Sequence, residues 1–331
     1  MRISINSAVE IDYTEVGYGN AISNIYQSLK RLKHSVSIND ATAPLQLNWM
    51  QPHLFRPNRF QYQILYFPWE STEFRTGWRD ICNRDTVDEV WTTTEWTKSI
   101  FEKEGVQKAE PINVFGHGIS SDWTPKLRKR NGPVKYLIVD AEANRKGYQE
   151  AFDAFRAVHG NDPRRATLTI KTRQRCMARW FDGDGRVRSP GEIPNVNINI
   201  SRLSNEEMVK LFQDHDVLIY PSKGEGWGFI PQQMLATGGI TITTAEWAPY
   251  KHYLGDLALK SSYGHTSYEG EHPGDICYPD QKHLEELVRL SYDDYENQTE
   301  KFFAQSFDVH EEYSWDSLTK KAFERVLQRF G

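Results

Sequence analysis

Residues 221–240, PSKGEGWGFIPQQMLATGGI, carry the side chains and spacings best suited to chemistry. They follow an apolar run, Val217-Leu218-Ile219-Tyr220, that reads as a buried strand. A glycine-rich turn, Gly224-Glu225-Gly226-Trp227-Gly228, comes next, and a helical pattern opens at about Ile230. Strand, glycine turn and helix N-terminus together gather backbone N–H groups and a favourable dipole around a phosphate. An acidic side chain in such a turn would repel phosphate, so Glu225 is expected to face hydroxyls. A site that needs phosphate donors and a hydroxyl-reading carboxylate suits a nucleotide-sugar. Four further residues fit such a site. Arg145 and Lys146 open a predicted helix, where cations sit slightly unfavourably against the dipole. Lys171 ends a predicted strand and is a further phosphate candidate. Glu70 follows the predicted strand 63–67 and is a candidate for binding acceptor hydroxyls.

The 221–240 stretch resembles the signature of retaining glycosyltransferases of family 4, roughly P-S-x-x-E-G-F-G-L-P-x-x-E-A-M-A-x-G. Pro221, Ser222, Glu225, Gly226, Gly228, Ala236 and Gly238 stand where that pattern wants them, and Trp227 replaces its Phe. The second acidic position is Gln233, which can accept from one hydroxyl and donate to another. It lacks the charge-assisted share of the bond. VDEVWTTTEWTKSIFEKEGV at 87–106, VFGHGI at 114–119 and NRKGYQEAFDAF at 144–155 resemble further segments of the same family in the same order.

The resemblance implies a GT-B fold: two Rossmann-like domains with a cleft between them and a C-terminal helix crossing back to the first. It implies a retaining hexosyl- or pentosyltransferase that uses a nucleoside-diphosphate sugar. By the same resemblance Glu225 contacts the donor sugar, Gln233 the ribose, and Lys146 with Arg145 the diphosphate. Some family members carry the arginine five residues before the lysine, which is Ala141 here. Gly17-Tyr18-Gly19, after the first strand, resembles the N-terminal glycine loop that closes over the diphosphate. His117 lies in a segment like the family's H-G motif, as a polar contact in the cleft. Gly226, Trp227 and Gly228 supply backbone approach at the donor, or Trp227 anchors the loop in the core. Such enzymes generally need no metal at the diphosphate. In a front-face reaction the leaving phosphate takes the acceptor proton, with no protein nucleophile.

The elements that must position these residues alternate between strand and helix, which argues for parallel α/β layers. Strands are predicted at 2–7, 36–38, 46–49, 63–67, 89–92 and 112–115, with a helix from about Asn20 whose Ile22, Ile25, Leu29 and Leu32 form a buried stripe. A helix over 95–103 has Thr94 as N-cap and Gly105 beyond its end. PKLRKRNGP at 125–133 reads as a linker. A second alternation follows: strands at 134–139, 167–171, 196–200, 217–220 and 240–244, and helices at 148–158 and 205–213. Helices fill about 282–330. The expected division is an acceptor-side domain over 1–130, a nucleotide-sugar domain over 131–305 and a returning helix over 306–331.

The chain has 331 residues, 13% of them aromatic, with a net charge of −5, so it is not a globally basic nucleic-acid binder. Cys82, Cys176 and Cys277 are few and widely spaced, which suits free thiols in a reducing compartment. No run of about 18 apolar residues is present and the N-terminus is no signal peptide, so a cytoplasmic location is expected. The acceptor stays open between glycan, small molecule and DNA. One segment bears on it: KTRQRCMARWFDGDGRVR at 171–188 is either a solvated basic loop or a contact for an anionic acceptor. In the second reading Arg173, Arg175 and Arg179 meet phosphates, Trp180 and Phe181 stack on an unpaired base, and a hydroxymethylated base in viral DNA is the acceptor. A non-catalytic sugar-nucleotide-binding module is the other alternative, because of Gln233.

Overall fold

The computed structural model describes residues 1–10, 17–140, 143–173, 176–181, 184–267 and 270–330. The first half contains β1 (Arg2–Ser7), α1 (Gly17–Arg31), β2 (Ser35–Ile38), β3 (Leu45–Trp49), β4 (Tyr62–Tyr66), α2 (Trp78–Cys82), β5 (Glu89–Thr92), α3 (Glu95–Lys103) and β6 (Asn113–Val114). Its six strands pair in parallel in the order β2-β1-β3-β4-β5-β6.

The second half contains β7 (Val134–Val139), α4 (Tyr148–His159), β8 (Ala166–Lys171), β9 (Trp180–Phe181), β10 (Val187–Arg188), β11 (Val196–Asn199), α5 (Asn205–Gln213), β12 (Val217–Tyr220), α6 (Phe229–Ala236) and β13 (Ile240–Thr244). It continues with α7 (Lys251–Leu254), β14 (Ala258–Leu259), β15 (Ser261–His265), β16 (Asp275–Pro279), α8 (Gln281–Asp293), α9 (Tyr295–Glu312) and α10 (Trp315–Gln328). A second parallel sheet runs β11-β8-β7-β12-β13-β14.

Strands buried on both faces read as continuous apolar or small-residue runs. β3, β5, β12 and β13 are buried at every position. α3 starts where its cap residue predicts, with the Thr94 hydroxyl accepting from the Thr97 amide at 3.0 Å. The two-sheet α/β architecture expected from the alternation is present. Two antiparallel hairpins, β9–β10 and β15–β16, were not foreseen.

Gly17-Tyr18-Gly19 is not a loop. These residues form the first turn of α1, so the helix begins ahead of the expected Asn20. The 125–133 linker is also less free than its composition suggests. Arg128 is buried and donates to the carbonyls of His215 at 2.6 Å, Phe212 at 2.8 Å and Thr237 at 2.8 Å, tying the linker to the second half. At the C-terminus α9 is one unbroken helix to Glu312. The chain crosses back after it, at Tyr313 and Ser314, rather than at 306. α10 then packs on α1: Phe323 and Val326 join the core of Ile22 and Ile25, and the Ser28 hydroxyl donates to Asp316 at 2.6 Å. No helix among the described residues is long and apolar enough to cross a membrane.

Candidate active site

The loops that leave the C-terminal ends of the two sheets meet each other. From the first half come the segments after β4, β5 and β6 and the start of α1. From the second come the turn before α4 and the glycine loop before α6. Their closeness is set by glycines. A Cβ on Gly224 would collide with the Glu70 carbonyl, and one on Gly226 with Pro68. The Thr93 hydroxyl donates to the Gly226 carbonyl across the same junction. Gly226 is therefore crowded by protein, where the sequence suggested backbone approach to a donor. Gly147 stands in the left-handed region at φ 69°, and a Cβ there would collide with the Pro221 carbonyl. That contact clasps the Arg145-Lys146-Gly147 turn to the glycine loop, with the Lys223 amide donating to the Arg145 carbonyl at 2.7 Å.

Glu225 is the centre of the cluster and is only 6% exposed. Its Oε1 accepts from Lys146 Nζ at 2.8 Å, Ser222 Oγ at 2.7 Å and the Tyr220 hydroxyl at 2.9 Å. Arg145 Nη1 lies 3.5 Å from the same oxygen and donates to the Gly224 carbonyl. Oε2 accepts from no described residue. Burial alone would raise this carboxyl. The charges of Lys146 and Arg145 and the hydrogen bonds from Lys146 and Ser222 outweigh burial and bring it down to about 2. Glu225 is thus an ionised carboxylate inside the junction, and the two cations assigned to a diphosphate are turned toward it.

Glu70 stands opposite on the loop after β4. Burial raises its pKa, with Arg145 opposing the rise. His117 lies in an aromatic cage, 4.9 Å from Phe229, 5.5 Å from Trp227, 5.6 Å from Trp49 and 5.7 Å from Trp315 between ring centroids. It is 2% exposed, burial lowers it to about 3, and neither ring nitrogen has a partner among the described residues. A neutral imidazole with both nitrogens unsatisfied is an unusual thing to bury. Trp227 follows its core-anchor reading: its indole N–H donates to Gln232 Oε1 at 2.9 Å, and Gln232 in turn donates to the His117 carbonyl at 2.9 Å. Gly228 caps α6 beneath Trp247 and Tyr250. Gln233 is mostly buried on α6, and its side chain has no hydrogen bond to a described residue. Gly17 approaches Phe229 at the start of α6, and Gly19 is buried in the same first turn of α1.

The basic segment is farther from its expected form. Lys171 is buried at the end of β8 and its ammonium donates to the Thr172 carbonyl at 2.9 Å. Arg173 is exposed. Arg179 turns its guanidinium onto the carbonyls of Cys176 at 3.0 Å and Ala178 at 2.7 Å in its own loop. Trp180 is partly covered: Arg156 lies over its ring at 4.5 Å and its indole N–H donates to the Ser189 carbonyl at 3.2 Å. Phe181 is 68% exposed. Arg175, like Ala141, lies outside the described residues.

Sequence reading missed the β15–β16 hairpin, whose connecting loop crosses to the first half. The Thr72 amide donates to the Asp275 carbonyl at 3.0 Å, and the Asp275 amide to the Thr72 hydroxyl at 2.7 Å. Arg75 Nε donates to the Glu271 carbonyl at 2.8 Å. This brings His272 to the cluster, with Nδ1 3.6 Å from Glu70 Oε2. The strands SSYGH and DICYP carry little apolar signal, and His272 falls in none of the segments with a family resemblance. Among the described residues no group of three or more His, Cys, Asp or Glu side chains stands close enough to hold a metal ion.

The fold is that of known GT-B glycosyltransferases. The chain superposes on sucrose-phosphate synthase from Thermosynechococcus elongatus with a TM-score of 0.67, 12% identity and 99% of each chain covered. It superposes on WaaG, a glycosyltransferase of lipopolysaccharide biosynthesis, with a TM-score of 0.65 and 12% identity over 97% of this chain and 98% of that one. It also matches the E. coli trehalose-6-phosphate protein bound with UDP-2-fluoro glucose, with a TM-score of 0.64 and 11% identity over 98% of each chain. No protein-family profile and no curated protein sequence matches the chain.

Proposed function

We propose that this protein is a retaining glycosyltransferase, of the family 4 type, that moves a hexosyl or pentosyl unit from a nucleoside-diphosphate sugar to an acceptor hydroxyl. The observation that carries the reading is Glu225, an ionised carboxylate held by Lys146, Ser222 and Tyr220 where the two sheets face each other. The likeness of the fold to nucleotide-sugar-using enzymes supports it. On donor binding, Lys146 and Arg145 exchange part of their hold on Glu225 for the diphosphate. Two fixed cations there stabilise the charge that builds on the leaving phosphate. Glu225 Oε2 then accepts from a donor-sugar hydroxyl, Gln233 takes the ribose, and a polar group of the sugar satisfies His117. The N-terminus of α1, at Gly17 and Gly19, adds its dipole to the diphosphate site. Lys171 is a more distant phosphate contact. The two halves joined at 125–133 act as acceptor-side and donor-side domains. No metal is assigned to the reaction.

The test is a thermal-shift and turnover screen with UDP-, GDP-, ADP- and dTDP-sugars. A donor at ~100-fold over its dissociation constant stabilises by about 2.7 kcal/mol. No stabilisation by any of them overturns the reading. Binding without hydrolysis or transfer makes the protein a non-catalytic sugar-nucleotide module.

A second acceptor reading, a hydroxymethylated base in DNA, draws on exposed Phe181 beside Arg179 on the β9–β10 hairpin. Replacing Arg173, Arg175 and Arg179 by Ala would then weaken DNA binding and leave donor affinity alone. The salt slope would flatten by ~0.9 for each duplex phosphate no longer neutralised, or ~0.7 on a single strand. No transfer to hydroxymethyl-cytosine or hydroxymethyl-uracil DNA, with a donor that binds, ends this reading.

A further inference from the structure

The two cations that balance Glu225 are the ones a diphosphate would draw away. A buried carboxylate that lost both would take up a proton or leave its place. Two neutral groups reach the same oxygen and carry no charge for a diphosphate to attract. The Tyr220 hydroxyl, at the end of β12, donates to Glu225 Oε1 at 2.9 Å, and Ser222 Oγ donates at 2.7 Å. Ser222 has one hydroxyl proton and three acceptors in reach, and the Arg145 and Gly224 carbonyls are the more distant, at 3.3 Å each. Both residues are fixed from behind by their own backbone. The Thr243 hydroxyl donates to the Tyr220 carbonyl at 2.7 Å, and the Trp247 indole N–H to the Ser222 carbonyl at 2.8 Å. Burial and the charge of Glu225 raise the Tyr220 hydroxyl well above its ordinary value, so it keeps its proton across the working pH range. Lys146 Nζ lies 5.7 Å from the centre of the Tyr220 ring, so the ammonium keeps an aromatic face beside it when it turns from Glu225.

We infer that Tyr220 and Ser222 are positioning residues that hold Glu225 in place and ionised in the nucleotide-sugar complex, which releases Lys146 and Arg145 for the diphosphate. This rests on the glycosyl-transfer reading and divides the labour of the two carboxylate oxygens. The hydrogen bonds from Lys146, Tyr220 and Ser222 all end on Oε1, so Oε2 is left for the sugar. No proton changes hands at Glu225, in keeping with a transfer in which the departing phosphate takes the acceptor proton. The charged and titratable groups around the carboxylate come from several elements. They are Lys146 and Arg145 before α4, Tyr220 on β12, Tyr250 after β13, Glu70 after β4 and His272 in the hairpin loop. In the free protein burial raises the carboxyl, and the cations overcome it to bring it to about 2. In the complex the cations are shared with the diphosphate, whose own charge also opposes ionisation of Glu225. The carboxyl then rises, and the two hydroxyls limit that rise.

The experiment follows hydrolysis of UDP-glucose, GDP-mannose, ADP-glucose and dTDP-glucose from about pH 4 to 8, resolved into kcat and kcat/KM. It uses the wild type, Tyr220→Phe, Ser222→Ala and Tyr250→Phe, each with a melting curve. Tyr250 is the control for a lost buried hydroxyl, because it donates to the Gly228 carbonyl at 2.6 Å in the same loop and not to Glu225. The acid limb of kcat/KM reads the free protein, where the cations hold Glu225, and that of kcat reads the complex, where the hydroxyls do. Tyr220→Phe and Ser222→Ala are each expected to lower kcat at pH 7 by ~10- to 100-fold, as for a hydrogen bond to a charged group. Their acid limb of kcat should begin about one pH unit above that of the wild type, and the limb of kcat/KM should move less. Tyr250→Phe should lower the melting temperature and move neither limb. Should Tyr220→Phe not fold, Ser222→Ala, which removes one oxygen from a loop, decides alone. An acid limb of kcat that coincides with the wild type overturns the inference whatever the loss at pH 7, because it marks a merely structural role. Equal movement of the two limbs, or a limb in Tyr250→Phe that moves as far, overturns it too. If the wild type binds or hydrolyses none of the four, the glycosyl-transfer reading fails and the inference falls with it, whereas wild-type turnover with unmoved limbs removes the inference alone.

Discussion

Replacing Glu225 by Gln removes one charge from the centre of the junction and keeps the side-chain volume. The structure sets the size of the effect. Oε1 accepts three hydrogen bonds, and the two cations beside it are largely buried, with about 15% of each side chain exposed. The folded carboxyl lies at about 2 against an ordinary 4.5. At ~1.4 kcal/mol per pKa unit, its ionisation contributes roughly 3 kcal/mol at neutral pH. This matches the ~3–5 kcal/mol by which removing one partner destabilises a buried ion pair. A depressed carboxyl stabilises fully above its unfolded value and loses that contribution as pH falls through its folded value. The wild type should therefore exceed Glu225→Gln by roughly 3 kcal/mol at pH 7, which is about 6–12 °C in melting temperature for a unit the size of the second half. The gap should narrow as pH falls from 4.5 toward 2. Calorimetric melts or urea midpoints at pH 7, 5, 4 and 3 measure it. Equal stabilities at pH 7, or a gap that does not narrow below pH 4.5, would refute the ion-pair account. Turnover of the variant should also fall by ~10²–10³, as for removal of one group that stabilises the transition state.

Lys146→Ala should weaken donor binding and turnover together, by roughly 1.5–3 kcal/mol for a charge-assisted bond, and calorimetry with the bound nucleotide-sugar reads this directly. Unchanged affinity and turnover would leave Lys146 as a partner of Glu225 alone. Gln233→Glu should hold or raise donor affinity, because the side chain has no hydrogen bond to a described residue to lose; a large loss would mean that the amide N–H₂ reads the donor. Gly147→Ala forces a Cβ into the left-handed region and against the Pro221 carbonyl, so it should lower the stability by at least the ~1–3 kcal/mol of the backbone strain, read as a fall in melting temperature. A melt unchanged from wild type would show that the clasp between the two loops is loose.

The sequence by itself determined the features that depend on near neighbours. The apolar runs at 134–139, 217–220 and 240–244 are strands because both faces of a parallel sheet are covered, and α3 starts at Thr94 because a hydroxyl there satisfies a free amide. The order of loops also follows the chain, so Lys146 and Glu225 could be named as candidate residues from spacing and resemblance. Tertiary structure alone decided how they meet. Lys146 and Glu225 are 79 residues apart, and their pairing depends on β7 and β12 lying side by side in the sheet. Trp227 became core because Gly116 leaves room for its ring. Gly17 begins α1, although glycine is a poor helix former, because the first turn is held where the Tyr18 carbonyl accepts from the Trp49 indole at 2.9 Å. The hairpin loop that delivers His272 to Glu70 was invisible for the same reason. Its strands are short and polar, and the groups it bonds lie some two hundred positions away in the other half. Periodicity records which face of an element is buried. It carries no information about which distant loop covers that face.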